Sequence, residues 1–218
     1  MGGGSSRGSF ETGWATDFAD ARASIEVVET RFTGAPAFYD NGTMYIPHPD
    51  PVRYTGDPRK YPEVDVNWEK LLAGRYFRVT AEEAKATFGK DWHDYFDPKY
   101  GAYLTGIDMF HTLHCINHIR REYYPDYYED GKYEDQHEVE MHRDHCLEQL
   151  RQYIMCHGDM TPIPTKYYKG LGRNYVLSDA PHTCRNFEKL QSWMMERYNG
   201  STQVFPYNQT DYDYLLEE

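Results

Sequence analysis

The sequence predicts a mainly α fold: an antiparallel helical hairpin carrying a metal site, with further short helices, long loops and room for minor β structure. Two observations on periodicity and one on a motif predict it. Residues 105–123 place Phe110, Leu113, Ile116 and Ile119 at helical spacing, and residues 135–156 do the same with Val139, Leu147, Leu150 and Ile154. The connector between them, YYPDYYEDGKYE, is short enough to turn one helix back along the other. Each of the two helices also contains one copy of the same pattern, His-x-x-His-Cys.

The elements follow in chain order. Residues 1–9, MGGGSSRGS, read as a cloning remnant, so the natural N-terminus is expected to be missing. Within 10–34, Phe18, Ala21, Ile25, Val28 and Phe32 are spaced as an amphipathic helical arm that Gly34 and Pro36 end. Residues 35–63, dense in proline and carrying Tyr39, Tyr45, Tyr54 and Tyr61, form a long loop with a hairpin at Asn41-Gly42. A loop of that length is expected to bound a substrate groove over the helical hairpin. Short helices follow at 65–72 and 80–88, the second opened by a capping box from Thr80 to Glu83. Pro125 stops the first long helix, a capping arrangement from Asp135 to Glu138 opens the second, and Gly158 closes it. A last helix over 183–199 presents Phe187, Leu190, Trp193 and Met194. One domain is expected over 35–200, with an acidic aromatic tail at 201–218.

Composition narrows the function. Leu, Ile, Val and Phe make up 17% of the 218 residues and the net charge is −12, values that alone suggest disorder. Aromatic residues at 16% reverse that reading, since each buried ring removes roughly 150–250 Å² from water. An aromatic-rich, leucine-poor core is expected. The acidic balance argues against nucleic acid as a partner, because Lys and Arg must neutralise its backbone. No apolar run reaches the ~20 residues of a membrane span. Three Asn-x-Ser/Thr tripeptides, at Asn41, Asn199 and Asn208, and four cysteines suit an oxidising lumen and a glycoprotein.

His111-Thr-Leu-His114-Cys115 and His142-Arg-Asp-His145-Cys146 carry the chemistry. Residues three apart share a helix face, so each motif presents two imidazoles side by side. Counting outward from the connector sets His114 opposite His142 and His111 near His145, a four-histidine site between facing helices. Nitrogen-rich coordination of that kind suits Cu(II) or Ni(II), and affinity order favours copper over zinc. The cysteines need not be ligands. Asp108 lies three residues before His111 and Glu138 four before His142, so either could orient an imidazole; His118, one turn beyond His114, is a further nitrogen on the same face. If Cys115, Cys146, Cys156 and Cys184 all pair within the chain, helical rise leaves only Cys115 with Cys146 and Cys156 with Cys184; interchain bridges or free thiols stay open.

FHTLHCINHIR and HRDHCLEQLRQYIMCHGD together resemble the UstYa-like family of fungal biosynthetic proteins, whose hallmark is two HxxHC motifs. Tyr54-Thr-Gly-Asp-Pro58, Val64-Asp-Val-Asn-Trp68 and His182-Thr-Cys-Arg-Asn-Phe187 with Trp193 are similar to its flanking blocks. The resemblance implies a copper-dependent oxidoreductase of mycotoxin or ribosomal-peptide (RiPP) metabolism, with His111, His114, His142 and His145 as metal and catalytic residues. It also implies an N-terminal membrane anchor absent here, a site in the secretory lumen, and a peptide or small-molecule substrate that is cyclised, hydroxylated or halogenated. A homodimer or a related partner subunit is compatible with it. A non-catalytic, metal-braced scaffold is the alternative from a different class, and a zinc hydrolase ranks last for want of a placed general base.

Overall fold

The structure is a computed structural model that describes residues 7–98, 101–128 and 136–198. Of these residues 43% are helical and 20% lie in strands, so the mainly α expectation is wrong. The chain is an α+β domain, and the helical hairpin is one part of it rather than its frame. In order the elements are β1 (Gly8–Ser9), β2 (Gly13–Trp14), a 3-10 turn (Asp20–Ser24), β3 (Val27–Arg31), β4 (Ala37–Phe38), β5 (Met44–Tyr45), α1 (Glu63–Leu72), β6 (Tyr76–Val79) and α2 (Ala81–Phe88). Then come a second 3-10 turn (Gly89–Tyr95), β7 (Phe96–Asp97), β8 (Ala102–Gly106), α3 (Asp108–Glu122), α4 (Gln136–His157), β9 (Thr165–Tyr168), β10 (Arg173–Val176), β11 (Pro181–Arg185) and α5 (Phe187–Tyr198). The strands form one three-stranded sheet, ordered β6-β8-β7, and four antiparallel pairs: β1 with β2, β4 with β5, β9 with β10, and β3 with β11.

The expected N-terminal helix is a short 3-10 turn followed by a strand. Val27, Val28 and Thr30 are β-branched and stiff at χ1, and β11 supplies the partner across the register Val28↔Cys184 and Thr30↔His182. The same pairing takes residues 183–185 out of the last helix, which begins only at Phe187. Helix α2 starts as read from sequence: Thr80 Oγ1 accepts from the Glu83 amide at 3.1 Å, and Glu83 Oε2 accepts from the Thr80 amide at 2.8 Å.

The core rests on rings. Phe18, Phe77 and Trp193 meet with centroids 5.6–5.9 Å apart, and Val79, Ala84, Phe110 and Met194 close around them. Leu72 is the one leucine among the buried described residues, in a second cluster with Val64 and Trp68 against which Leu113 of α3 packs. Thus α3 is held from below by α1 and by the sheet. Helix α4 is held differently. Only half of its apolar stripe is covered: Leu147 and Ile154 are 50% and 69% exposed, Val139 and Leu150 are half-buried, and Cys146 is its one buried residue among those described.

The 35–63 segment divides in two. Its β4–β5 hairpin docks on β9–β10, with Phe38 set edge-on to Tyr168 and Tyr175 at 5.3 and 5.1 Å. Its second half lies along α1, where Trp68 Nε1 donates to the Tyr54 carbonyl at 2.8 Å. Gly170, in the β9–β10 turn, lets the two hairpins touch: a Cβ there would overlap the Tyr39 carbonyl oxygen and the Gly42 amide nitrogen, both backbone atoms. Gly170→Ala is therefore expected to cost about 1–3 kcal/mol, as overpacking does. Thermal unfolding of that variant measures it, and an unchanged melting temperature would show that the hairpins dock loosely. The tail and the second half of the tyrosine-rich connector, from residue 129 on, lie outside the described residues.

Candidate metal centre

Helices α3 and α4 run antiparallel, in a register read directly from their contacts. Gln149 Nε2 of α4 donates to Asp108 Oδ1 of α3 at 2.8 Å, at the start of α3. One turn on, the rings of His111 and His145 lie 5.8 Å apart; a further turn on, those of His114 and His142 lie 6.2 Å apart. His118 stacks on His142 at 4.0 Å and its Nε2 lies 3.1 Å from Glu122 Oε1. The structure thus brings the four motif histidines and His118 into one row along the seam. His145 is exposed and the other four are half-buried, so the row opens to solvent on the α4 side.

The helices meet through sulfur and amide rather than through an apolar seam. Cys115 and Cys146 are both fully buried, one on each helix, and burial raises the pKa of both thiols. All four cysteines are free thiols, so neither the Cys115–Cys146 nor the Cys156–Cys184 disulfide is made in this structure. Asp108 holds Gln149, where sequence spacing assigned it an imidazole, although its charge still favours protonation of His111. Glu138, the other proposed orienting carboxylate, is exposed.

Burial and a neighbouring positive charge keep two of these imidazoles unprotonated. Burial is the largest cause that lowers the His111 pKa, and at His114 burial, then the charge of Arg75, lowers it to about 3. Both imidazoles are neutral at physiological pH and present lone pairs, as metal ligation requires. His111, Cys115 and His145 have donor atoms all within 4.8 Å of one another. A tetrahedral ion with ligands at about 2.0–2.3 Å sets its donors roughly 3.5 Å apart, so small rotamer adjustments suffice and the residues present fit a metal. Arg75 is the contributor that sequence reading missed. It sits between α1 and β6, far from the motif in sequence, and no local pattern signals it.

A second polar cluster anchors the far end of α3. Arg120, 9% exposed, donates through Nη2 to Asp65 Oδ1 of α1 at 2.7 Å, through Nη1 to Tyr128 Oη at 2.7 Å and through Nε to Asn117 Oδ1 at 2.9 Å. Tyr128 in turn donates to Asp65 Oδ1 at 2.6 Å, and a cavity of about 180 Å³ lies beside the group.

The depressed pKa of His114 makes a pH prediction for the metal-free chain. Its folded pKa, about 3, lies below the ordinary 6.5, so its neutral form contributes stability that is present above the ordinary value and is lost as pH falls towards the folded one. Urea midpoints of the metal-free chain should fall with acidification over that window, and those of His114→Gln should fall less. Parallel slopes for both proteins would count against the assignment.

Fold and site together define a class: an α+β domain whose antiparallel helix pair displays a row of histidines backed by buried cysteines, a candidate metal centre. Residues 16–197 match the family model described as UstYa, mycotoxin biosynthesis protein. The chain belongs to the UstYa family. It is 38% identical over 208 residues to the UstYa family oxidase phomYd of Diaporthe leptostromiformis, covering 91% of this chain and 67% of that protein. It is 29% identical to the UstYa family oxidase phomYd' of the same fungus, covering 91% and 58%. The transacylase cctO of Talaromyces islandicus is 28% identical over 86% of this chain and 66% of its own length. The chain therefore spans about three fifths to two thirds of these relatives. No solved structure matches it.

Proposed function

We propose that the chain is a copper-dependent oxidase of fungal secondary metabolism that closes a ring in a ribosomally made peptide. The observation that carries this reading is the row of His111, His114, His142 and His145 across α3 and α4, open to solvent at His145. The relatives named as oxidases and the mycotoxin description of the family support it. Bound copper would supply one-electron redox chemistry, which zinc cannot.

The chain's own residues do the rest. His111, His114, His142 and His145 offer nitrogen donors, and burial holds His111 and His114 neutral. The bond from Gln149 to Asp108 and the stack of His118 on His142 hold α4 against α3, so the donors stay aligned along the seam. A net charge of −12 favours neutral or cationic substrates, among which an electron-rich, tyrosine-containing peptide is the substrate proposed. No helix among the described residues is long and apolar enough to cross a membrane. The proposal includes an anchoring segment ahead of this sequence and a lumenal site.

Mass spectrometry of a tyrosine-containing peptide incubated with copper-loaded protein and dioxygen tests the reading. Loss of two hydrogens supports ring closure. Gain of oxygen, or of chlorine when chloride is present, redirects it to hydroxylation or halogenation. An unaltered peptide with copper fully bound leaves a metal-braced scaffold.

A further inference from the structure

The two HxxHC motifs are equivalent in sequence, but the fold makes their cysteines unequal. Cys115 Sγ lies 3.9 Å from His111 Nε2, within its own motif, and within 4.8 Å of a donor nitrogen of His145, from the other motif. Among the described residues this is the one set of three such donors, and Cys146 is not in it. Cys146, equally buried, lies outside that set.

We propose that Cys115 is a metal ligand together with His111 and His145, and that Cys146, although equally buried, is not a ligand. This rests on the metal reading above and adds a sulfur to it. The ordinary reading of a buried cysteine is a small hydrophobe with inert sulfur. One feature sets Cys115 apart from that habit: imidazoles from two different helices, His111 and His145, converge on it. On binding, Cys115 gives up its proton to solvent and its sulfur lone pair to the cation; no electron moves in this step. The consequence is a seam with two unlike ends. At one, His111, His145 and Cys115 form a soft set of two imidazoles and a thiolate. At the other, His114, His142 and the stacked His118 offer nitrogen alone. Softness then favours copper or zinc over hard cations at the first end.

Cobalt(II), added without oxygen to the reduced, metal-free protein, is the probe, because cobalt bonded to a thiolate shows an intense near-ultraviolet charge-transfer band that cobalt bonded only to imidazole lacks. The wild-type protein is expected to show the band. Cys146→Ser should keep it, with at most a shift in position. Cys115→Ser should lose it and bind cobalt at least about tenfold more weakly, the scale seen even for outer-shell losses. A separate readout covers a variant that folds poorly: in the wild-type protein, cobalt should protect Cys115 from alkylation during mild opening with low urea, as mapped by peptide mass spectrometry. Cobalt bound to the wild-type protein without a thiolate band, or a band that survives Cys115→Ser, overturns the assignment of Cys115 while leaving the histidine site standing. Failure of the wild-type protein to take up cobalt or copper at all overturns the metal reading itself, and this inference with it.

Discussion

Under the copper reading proposed above, the wild-type chain is expected to bind about one copper, and replacing His145 by alanine is expected to remove most of it while leaving the fold intact. His145 is exposed on α4, so its loss creates no cavity, and surface changes of this kind usually alter stability by less than about 0.5 kcal/mol. The metal, by contrast, loses a nitrogen at the one place where α4 reaches both His111 and Cys115. A site that loses a ligand no longer satisfies the geometry that selects copper. His114→Ala should also release copper, but His114 is half-buried, so that variant combines ligand loss with repacking. Elemental analysis after gel filtration, read beside circular dichroism, separates the two effects. Full copper occupancy in both variants would falsify the four-histidine assignment.

The second large effect is expected at the far end of α3. Asp65→Ala leaves the Arg120 guanidinium buried with Tyr128 and Asn117 as its hydrogen-bond partners, and neither is an anion. Breaking a buried pair by removing one partner costs about 3–5 kcal/mol; because Asp65 is 28% exposed, water can relieve part of this, and about 2–3 kcal/mol is expected. Removing the carboxylate also strands the Tyr128 hydroxyl, which donates to it. The double variant Asp65→Ala/Arg120→Met should recover part of the loss, since no uncompensated charge then remains inside. Urea unfolding of the three proteins measures this. A single variant as stable as the wild type would mean that the cluster is solvated rather than buried. Because Arg120 lies on the α3 that carries His111 and His114, the single variant should also bind copper less tightly, through a looser helix rather than a lost ligand.

The sequence by itself determined what depends on neighbours along the chain. The spacing of His111, His114 and Cys115 puts them on one helix face because 3.6 residues make a turn, and the same holds for His142, His145 and Cys146. The short connector around Tyr128 set the antiparallel register, so His114 faces His142 and His111 faces His145. The Thr80 capping box was legible for the same reason, being a bond between residues three apart. Tertiary structure decided what depends on partners distant in sequence. Residues 27–31 have apolar positions that fit a helix, but β11, some 150 residues later, supplies the hydrogen bonds that make them a strand. The stripe of Leu147 and Ile154 marks a helix correctly, yet periodicity cannot say which face meets the body, and here the polar seam of histidine, cysteine and Gln149 does. Arg75 reaches the site only because β6 pairs with β8 just ahead of α3. Two identical motifs cannot announce that their cysteines differ: the offset between two packed helices brings Cys115, and not Cys146, within reach of imidazoles from both.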